Sequence, residues 1–393
     1  MSKRAWPVLV IAILLGGGAG VASSTTGDVR PSTASVRAAM DALWAKYSSS
    51  NLLGLCLGAV DDRVAMAKCY GKKAPGSSAH VDVRTLFRVE SVSKTFAATL
   101  LALRVQEGSV KLNDPVKTYV PVVGGQPVYP TSLTLAQLAE HYSGLPKPTP
   151  KTKSLVEFFL TTGACLTKTS CRKDVPGHSY LYSNWAFSLL GNVLGAHDGV
   201  RDGPLGVFEP DVVTSITGPL GMPSTRSLPD WILEHPAAFA AHVSASGEEG
   251  KTEAPYGDAG GGMYSDARDM LKWLRFSMGL SGPSNVLAAH HLLYDDATHC
   301  PREHGDPNAG CFPTDVPNEW MGLAWDVNKS TGTTCVWKGG DGQGFHAYVT
   351  FVNGVRRGVF LLFNSDPSAG KFKIGKALLN SLPATPGAGS PTC

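Results

Sequence analysis

Three short segments contain residue types that together could carry out nucleophilic catalysis. They are Ser91-Val92-Ser93-Lys94, Tyr182-Ser183-Asn184 and Lys338-Gly339-Gly340. A serine and a lysine three residues apart share one face of a helix, one turn from each other. Where burial and neighbouring cations lower the pKa of such a lysine, it can take the proton of the serine hydroxyl. Ser91 is therefore the candidate nucleophile, and Lys94 is its candidate base.

The spacing S-x-x-K is common, so its surroundings decide its meaning. The same spacing recurs at the pairs Ser170/Lys173 and Ser368/Lys371. The first pair falls in a predicted loop and the second in a predicted tail turn, and both are interpreted as solvated. Only Ser91 follows a predicted strand and begins a long apolar helix. The start of a helix directs backbone N–H groups towards an incoming anionic oxygen, which suits acyl transfer.

The second segment offers a proton relay and a hydrogen-bonding amide. Tyr182 beside a lysine can act as a phenolate base or relay, and Asn184 can hold a substrate carbonyl. The alternative is a helix start at which Tyr182 packs and Ser183 or Asn184 caps the backbone. Taken alone, this segment favours the alternative.

The third segment offers a cation and close backbone access. Lys338 can attract a substrate carboxylate, and Gly340 lets a substrate backbone lie against the strand. The N–H of Asp341 could act beside that of Ser91 as the second oxyanion donor. The alternative is a surface lysine before a glycine turn, which is the simpler interpretation of this segment alone.

In this order the segments match the signature of penicillin-recognising serine enzymes: S-x-x-K, then Y-x-N, then K-T-G. The chain resembles the class C β-lactamase and low-molecular-weight penicillin-binding protein family, most closely its AmpH-type D-alanyl-D-alanine carboxypeptidase/endopeptidases. The resembling stretches are residues 85–121, 133–146, 176–190, 219–222, 260–271 and 321–351. They extend over most of the predicted mature chain and run in the family's order.

The resemblance implies a serine hydrolase that cleaves peptidoglycan peptides ending in D-Ala-D-Ala and is acylated by penicillins. It implies no cofactor, no metal and no obligate protein partner. The implied roles are Ser91 as nucleophile, Lys94 as base partner, Tyr182 as proton relay, Asn184, Lys338 and Gly340 in substrate binding, and the amides of Ser91 and Asp341 as oxyanion hole.

One departure from the family pattern leaves the substrate open. Gly339 stands where K-T-G has threonine, so the hydroxyl contact to the substrate carboxylate is missing. A class C-like β-lactamase or an esterase of the same fold is therefore the alternative. A catalytically silent binding module is disfavoured because Ser91, Lys94 and Tyr182 are all present. The chain has neither an H-E-x-x-H nor a G-x-S-x-G motif, which argues against a metallopeptidase and an α/β-hydrolase esterase.

The order of predicted elements indicates an α+β fold. Helix, strands, a mostly helical insert, strands and a last helix fit an antiparallel sheet flanked by terminal helices, with a helical subdomain inserted. One domain is predicted over residues 23–385. Its α/β part comprises about 30–110 and 255–385, its helical subdomain about 111–254, and residues 386–393 form a tail.

The amino-terminal segment is typical of a secretory signal. Lys3 and Arg4 precede an apolar run and then small residues, which predicts a signal peptide over residues 1–22. An uncleaved anchor is the alternative. We expect an exported protein, periplasmic or secreted. The net charge of +3 comes without a long Lys/Arg run, so nucleic-acid binding has no support.

Eight cysteines in an exported chain suggest disulfides. Cys56 and Cys69 fall opposite each other in a predicted hairpin that turns at residues 62–63, at a position where the Cα atoms approach closely. The other predicted pairs rest on nearness in sequence and on elimination. They are Cys165–Cys171, Cys300–Cys311 and Cys335–Cys393.

Overall fold

The structure is a computed structural model. It describes residues 32–48, 52–61, 63–119, 133–145, 176–177, 180–202, 205–227, 238–241, 258–295, 319–330, 333–342, 344–367 and 370–382. The predicted signal peptide, the tail and the pairs Cys165–Cys171 and Cys300–Cys311 lie outside these residues. Within them, no helix has both the length and the apolar character needed to cross a membrane.

The strands confirm the predicted antiparallel sheet. They are β1 (Gly54–Val60), β2 (Ala65–Gly71), β3 (Phe87–Arg88), β4 (Arg201–Asp202), β5 (Leu205–Gly206), β6 (Tyr264–Ser265), β7 (Glu319–Met321), β8 (Asp326–Ser330), β9 (Thr333–Asp341), β10 (His346–Val352) and β11 (Arg357–Phe363). Seven of them form one sheet in the order β2-β1-β11-β10-β9-β8-β7, with antiparallel neighbours. Strand β3 pairs with β6, and β4 with β5.

Helices cover both faces of this sheet. They are α1 (Thr33–Tyr47), α2 (Ser93–Gln106), α3 (Leu135–Ala139), α4 (Asn184–His197), α5 (Phe208–Val212), α6 (Ala267–Ser277), α7 (Ser284–Ala288) and α8 (Lys371–Ser381). Single 3₁₀ turns span Glu90–Val92, Val116–Thr118 and His290–Leu292, and π-helical turns span Val213–Thr217 and Asp258–Gly262. The domain boundaries within the chain stay a prediction.

The terminal helices share one face of the sheet. Ser32 and Ser35 form a capping box that starts α1. This helix buries Val36 and Met40 in a cluster that also holds residues of α8 and of β1, β10 and β11. A second cluster on the opposite face contains α2, α4 and α6. Burying both faces of the sheet makes it a rigid support for residues at its strand ends.

Two four-residue turns join neighbouring strands of the sheet. Strands β7 and β8 are joined by a tight turn in which the Gly322 amide donates to the Trp325 carbonyl. The hairpin at Asn353-Gly354 has a four-residue loop, because Val352 pairs with Arg357.

The disulfide predicted from the first hairpin is present. Cys56 faces Cys69 across β1 and β2, the two cysteines are joined, and their Cα atoms are 4.0 Å apart. The Asp61 amide donates to the Val64 carbonyl and closes the predicted turn. Cys335 is disulfide-bonded as well. Its partner lies outside the described residues, so the pairing with Cys393 stays a prediction.

The candidate nucleophile helix lies in the middle of the fold. Helix α2 is buried along most of its length, and Phe96 stacks on Trp273 of α6 at 3.9 Å between ring centroids. The Trp273 indole N–H donates to the Thr95 hydroxyl over 3.2 Å. The Glu90–Val92 turn before this helix packs against β9.

Candidate active site

Ser91 lies in a turn that leads into a helix. The sequence predicts a helix beginning at Ser91, whereas the structure has a 3₁₀ turn over Glu90–Val92 and α2 only from Ser93. The Val92 amide donates to the Val89 carbonyl over 3.1 Å and closes the turn. Ser91 is partly exposed, while its neighbours in the helix are buried. The hydroxyl is therefore available to a substrate but fixed by the fold behind it.

The Lys94 side chain is fully buried, and its Nζ contacts oxygen atoms of three residues. Its Nζ is 3.0 Å from Ser91 Oγ and 2.7 Å from Asn184 Oδ1, and it also donates to the Gly260 carbonyl. Gly260 belongs to the π-helical turn, which packs on both α2 and α4. These contacts fix the amine beside the serine hydroxyl, as a base partner requires.

Tyr182 approaches the same serine from the segment before α4. Its hydroxyl is 2.6 Å from Ser91 Oγ. Ser183 caps α4 by accepting from the Ala186 amide, so the predicted capping role and the tyrosine contact occur together. Burial raises the pKa of Tyr182 above its usual value, although the hydrogen bond with Ser91 opposes this shift. Tyr182 is therefore a neutral phenol that can donate a proton.

Asn184 turns its amide oxygen towards Lys94. The NH₂ group of the same amide can itself donate hydrogen bonds. The structure thus brings Ser91, Lys94, Tyr182 and Asn184 together from two helix starts that are about 90 residues apart in sequence.

The end of β9 closes the other side of Ser91. A Cβ atom built on Gly340 would lie 2.4 Å from the Val89 carbonyl oxygen and 3.1 Å from the Ser91 nitrogen. Only a glycine lets the strand come this close to the nucleophile turn. The amide of the next residue, Asp341, is the candidate partner of the Ser91 amide in an oxyanion hole.

We expect Gly340→Ala to lower kcat by about a hundredfold or more, since an added methyl must push β9 away from the Ser91 amide. Steady-state kinetics with a chromogenic ester would measure the loss. Gly339→Ala is the matched control, because its Cβ would meet side-chain atoms of Lys371 at 3.0 Å and Phe372 at 3.3 Å rather than backbone of the nucleophile turn. We expect this control to lose less than about tenfold. A Gly340→Ala enzyme with unchanged kcat would contradict the close packing.

Lys338 is buried and forms an ion pair. Its Nζ is 3.0 Å from Asp326 Oδ2 on the neighbouring strand, and the side chain is only 2% exposed. Burial raises the pKa of Asp326, and the charge of Lys338 opposes that shift. The Lys338 ammonium also lies 5.5 Å from the centroid of the Tyr182 ring. The predicted cation is at the site, but it has a carboxylate partner that the sequence analysis missed.

Lys371 is a second residue that the sequence analysis missed. The prediction of a solvated lysine in a tail turn is wrong: Lys371 begins α8, is 3% exposed, donates to the Gly340 carbonyl over 3.1 Å and pairs with Asp341. Its partner in the S-x-x-K spacing, Ser368, lies outside the described residues. Lys371 reaches the site only because α8 packs on β10 and β11, which local sequence does not reveal.

His346 links Asp341 to Asp366. Its Nδ1 is 2.8 Å from Asp341 Oδ1, and its Nε2 contacts Asp366. Burial acts to lower the pKa of His346, but the two carboxylates raise it above 6.5. Burial acts to raise the pKa of Asp341, but hydrogen bonds from His346 and Lys371 hold it at about 2. This network supports the residue whose amide is the candidate oxyanion donor.

We expect His346→Gln to lower Tm more at pH 5.5 than at pH 9. A histidine whose folded pKa is raised stabilises the fold fully below its unfolded value, and loses that contribution as the pH rises through the folded value. Thermal melting of wild type and variant at both pH values measures this. The exposed His291 gives the control His291→Gln, for which we expect similar losses at both pH values. A larger loss for His346→Gln at pH 9 would contradict the assignment.

Glu90 directly precedes the nucleophile and has a left-handed backbone with φ of 50°. Its carboxylate is 3.4 Å from Arg88 Nε and lies where a side chain on Gly342 would go. Burial raises the pKa of Glu90, and the charge of Arg88 opposes the shift. Arg88 also donates to the Gly261 carbonyl over 3.0 Å. The sequence does not mark Glu90 as part of the site, because its positive φ is visible only in the structure.

His141 has a structural position behind Tyr182. It is fully buried, its Nδ1 accepts from the Ser183 amide over 3.0 Å, and its ring lies 4.3 Å from that of Tyr182. Burial and the charges of Lys338 and Lys94 lower its pKa well below the usual value. A neutral imidazole here supports the Tyr182 segment. Within the described ranges, no cluster of three potential metal ligands occurs.

A family comparison covers nearly the whole described chain. Residues 36–382 match the family model described as Beta-lactamase. The chain is similar to the D-alanyl-D-alanine-carboxypeptidase/endopeptidase AmpH of Escherichia coli K12, with 27% identity over 332 residues and 82% of each chain covered. It is also similar to a β-lactamase of Pseudomonas fluorescens, with 25% identity and coverage of 84% of this chain and 94% of that protein.

The fold is similar to solved class C β-lactamases. One matches with a TM-score of 0.72 and 21% identity, covering 90% of this chain and 96% of its own. Another, in complex with cefoxitin, matches with a TM-score of 0.72 and 20% identity over 89% of this chain and 99% of its own. At these identities the structural matches establish the α+β fold, and the choice of substrate depends on the site.

Proposed function

Because this chain belongs to the β-lactamase family of serine hydrolases, we propose that it is a D-Ala-D-Ala carboxypeptidase/endopeptidase acting on peptidoglycan peptides and acylated by penicillins. One observation carries the proposal: Ser91 Oγ is within hydrogen-bond distance of both Lys94 Nζ, at 3.0 Å, and the Tyr182 hydroxyl, at 2.6 Å. The similarity to AmpH supports the choice of peptide substrates.

In the proposed first step, Ser91 Oγ attacks the carbonyl carbon of the penultimate D-alanine. Its proton passes to Lys94 Nζ, which enters the step as a neutral amine. The carbonyl oxygen becomes an anion and accepts hydrogen bonds from the amides of Ser91 and Asp341. Gly340 supports this geometry because it lets β9 lie against the nucleophile turn.

In the proposed second step, the C–N bond breaks and the departing nitrogen takes the Tyr182 hydroxyl proton. The raised pKa of Tyr182 supports this role, because the group is protonated when the step begins. The Lys94 ammonium then returns a proton to the phenolate. Water attacks the acyl-enzyme through the same groups, releases the shortened peptide and restores the Ser91 hydroxyl.

The compartment in which peptidoglycan peptides occur is one in which a disulfide is stable. A Cys56–Cys69 bond is stable in an oxidising compartment, such as the periplasm or the medium, where peptidoglycan peptides are also found. Export through residues 1–22 is part of the proposal.

A second candidate function is an esterase or a class C-like β-lactamase. Gly339 favours it, because the strand offers no hydroxyl to a substrate carboxylate at that position. The similarity to the Pseudomonas fluorescens β-lactamase supports the same family chemistry with a different substrate.

The deciding experiment compares three substrate classes on one enzyme preparation. We expect D-alanine release from diacetyl-L-Lys-D-Ala-D-Ala and cleavage of a D-Ala cross-linked muropeptide dimer. Mass spectrometry measures the products of both reactions. Nitrocefin and p-nitrophenyl butyrate are assayed in parallel. Turnover of the ester or of nitrocefin with neither peptide cleaved would overturn the peptidase proposal in favour of the second candidate.

A further inference from the structure

The basic side chains around the catalytic serine are matched by acidic ones. The pairs are Lys338 with Asp326, Lys371 with Asp341, and Arg88 with Glu90. Lys94 instead contacts neutral oxygens of Ser91, Asn184 and Gly260. Lys338, Lys371 and Arg88 are therefore already partnered by carboxylates of the protein itself.

Lys338 is the cation best placed to meet a substrate carboxylate, since it lies on β9 two residues before the Gly340 contact. Its ammonium is 3.0 Å from Asp326, which is 4% exposed and belongs to the adjacent strand. A carboxylate brought to this ammonium would also approach the Asp326 carboxylate. The attraction from Lys338 is therefore largely offset by repulsion from its partner.

The position of Gly339 adds to this effect. A side chain there would point at Lys371, whose Cε would lie 3.0 Å from the added Cβ. The hydroxyl that threonine would supply is absent, and the nearby Lys371 ammonium is bound to Asp341 and to the Gly340 carbonyl. The Lys371 ammonium can replace the missing hydroxyl donor only by giving up one of these bonds. The Lys338 ammonium can do so only by giving up its bond to Asp326.

We propose that the site prefers substrates whose leaving portion is neutral next to the scissile amide, and that Asp326 is a determinant of this preference. The preferred substrates carry an amide, an ester or a continuing chain in place of the free carboxylate of a terminal D-alanine. This rests on the proposed function, and it names the substrate class within that function.

The test uses two peptides that differ in one charge. Diacetyl-L-Lys-D-Ala-D-Ala and its carboxy-terminal amide share every other group, and mass spectrometry follows the common acyl product. We expect kcat/KM of wild type to be about tenfold higher for the amide. We expect Asp326→Asn to shift this ratio towards the free acid by about tenfold, because Lys338 then lacks its carboxylate partner.

The ratio is independent of how much enzyme is folded, since both substrates are measured on the same preparation. This matters because removing one member of a buried ion pair destabilises the fold. Asp295→Asn is the matched control: Asp295 is exposed and contacts Asn353, away from Ser91. We expect its ratio to equal that of wild type.

A wild-type enzyme that prefers the free acid, or an unchanged ratio in Asp326→Asn, would overturn the inference. Failure of the proposed function gives a different result, in which neither peptide is cleaved. The ratio is then measured on matched esters that release D-lactate or D-lactamide. If wild type prefers the D-lactamide ester and Asp326→Asn loses this preference, the charge argument holds for an esterase. If either result is absent, the charge argument is overturned.

Discussion

Ser91→Ala is expected to eliminate the covalent adduct with benzylpenicillin and to lower peptide cleavage by about 10⁴-fold or more. The physical reason is that Ser91 Oγ is the nucleophile proposed for acylation, and an alanine has no atom that can form the bond. Ser91 is partly exposed, so its substitution disturbs the fold less than that of a fully buried serine. Intact-mass analysis after incubation with benzylpenicillin measures the adduct directly.

Ser93→Ala is the matched control for this loss. Ser93 lies two residues further along, is fully buried, and accepts a hydrogen bond from the Met263 amide over 3.1 Å. We expect this variant to keep the adduct while its free energy of unfolding falls by about 1–3 kcal/mol, since the amide loses its partner. An adduct on the Ser91→Ala enzyme would disprove Ser91 as nucleophile. A stable fold without an adduct in Ser93→Ala would show that acylation depends on more than Ser91.

Lys94→Met is expected to lower the acylation rate by about a thousandfold or more. The methionine has a similar length but no basic nitrogen, so the Ser91 proton has lost its nearest acceptor. Asn184 Oδ1 and the Gly260 carbonyl also lose a donor. The measurement is the rate of appearance of the benzylpenicillin adduct, with thermal melting to correct for the folded fraction.

Lys94→Arg separates a base from a fixed cation. Arginine keeps the positive charge but stays protonated in proteins, so it cannot accept the Ser91 proton. If Lys94 is the base, both variants are inactive. If it acts only through its charge, Lys94→Arg retains acylation wherever melting shows a folded enzyme. Retained acylation in folded Lys94→Arg would therefore contradict the proposed mechanism.

Much of the catalytic centre could be predicted from local sequence. Ser91 and Lys94 lie one helical turn apart by spacing alone, and their strand-then-helix setting distinguished them from the pair at Ser368 and Lys371. The hairpin register placed Cys56 opposite Cys69 before any tertiary contact was known. These features depend on the period of a helix or a strand, so they are readable within about fifteen residues.

Other features required the packed fold. Asp326 is on a different strand from Lys338, and Lys371 reaches Asp341 only because α8 packs on the sheet. Both are charged residues whose burial depends on a distant partner, and charge pairing across strands has no local sequence signal. The interpretation of Lys371 as solvated was wrong for this reason.

The sequence by itself determined which residues are candidates for the chemistry, because residue types, short spacings and the family resemblance single out Ser91, Lys94 and Tyr182. Only the tertiary structure decided the electrostatic setting of that chemistry. Whether a cation near the site is free or paired depends on strands and helices that are remote in sequence. The choice among substrates with and without a free carboxylate therefore rests on packing, since packing fixes where the compensating carboxylates lie.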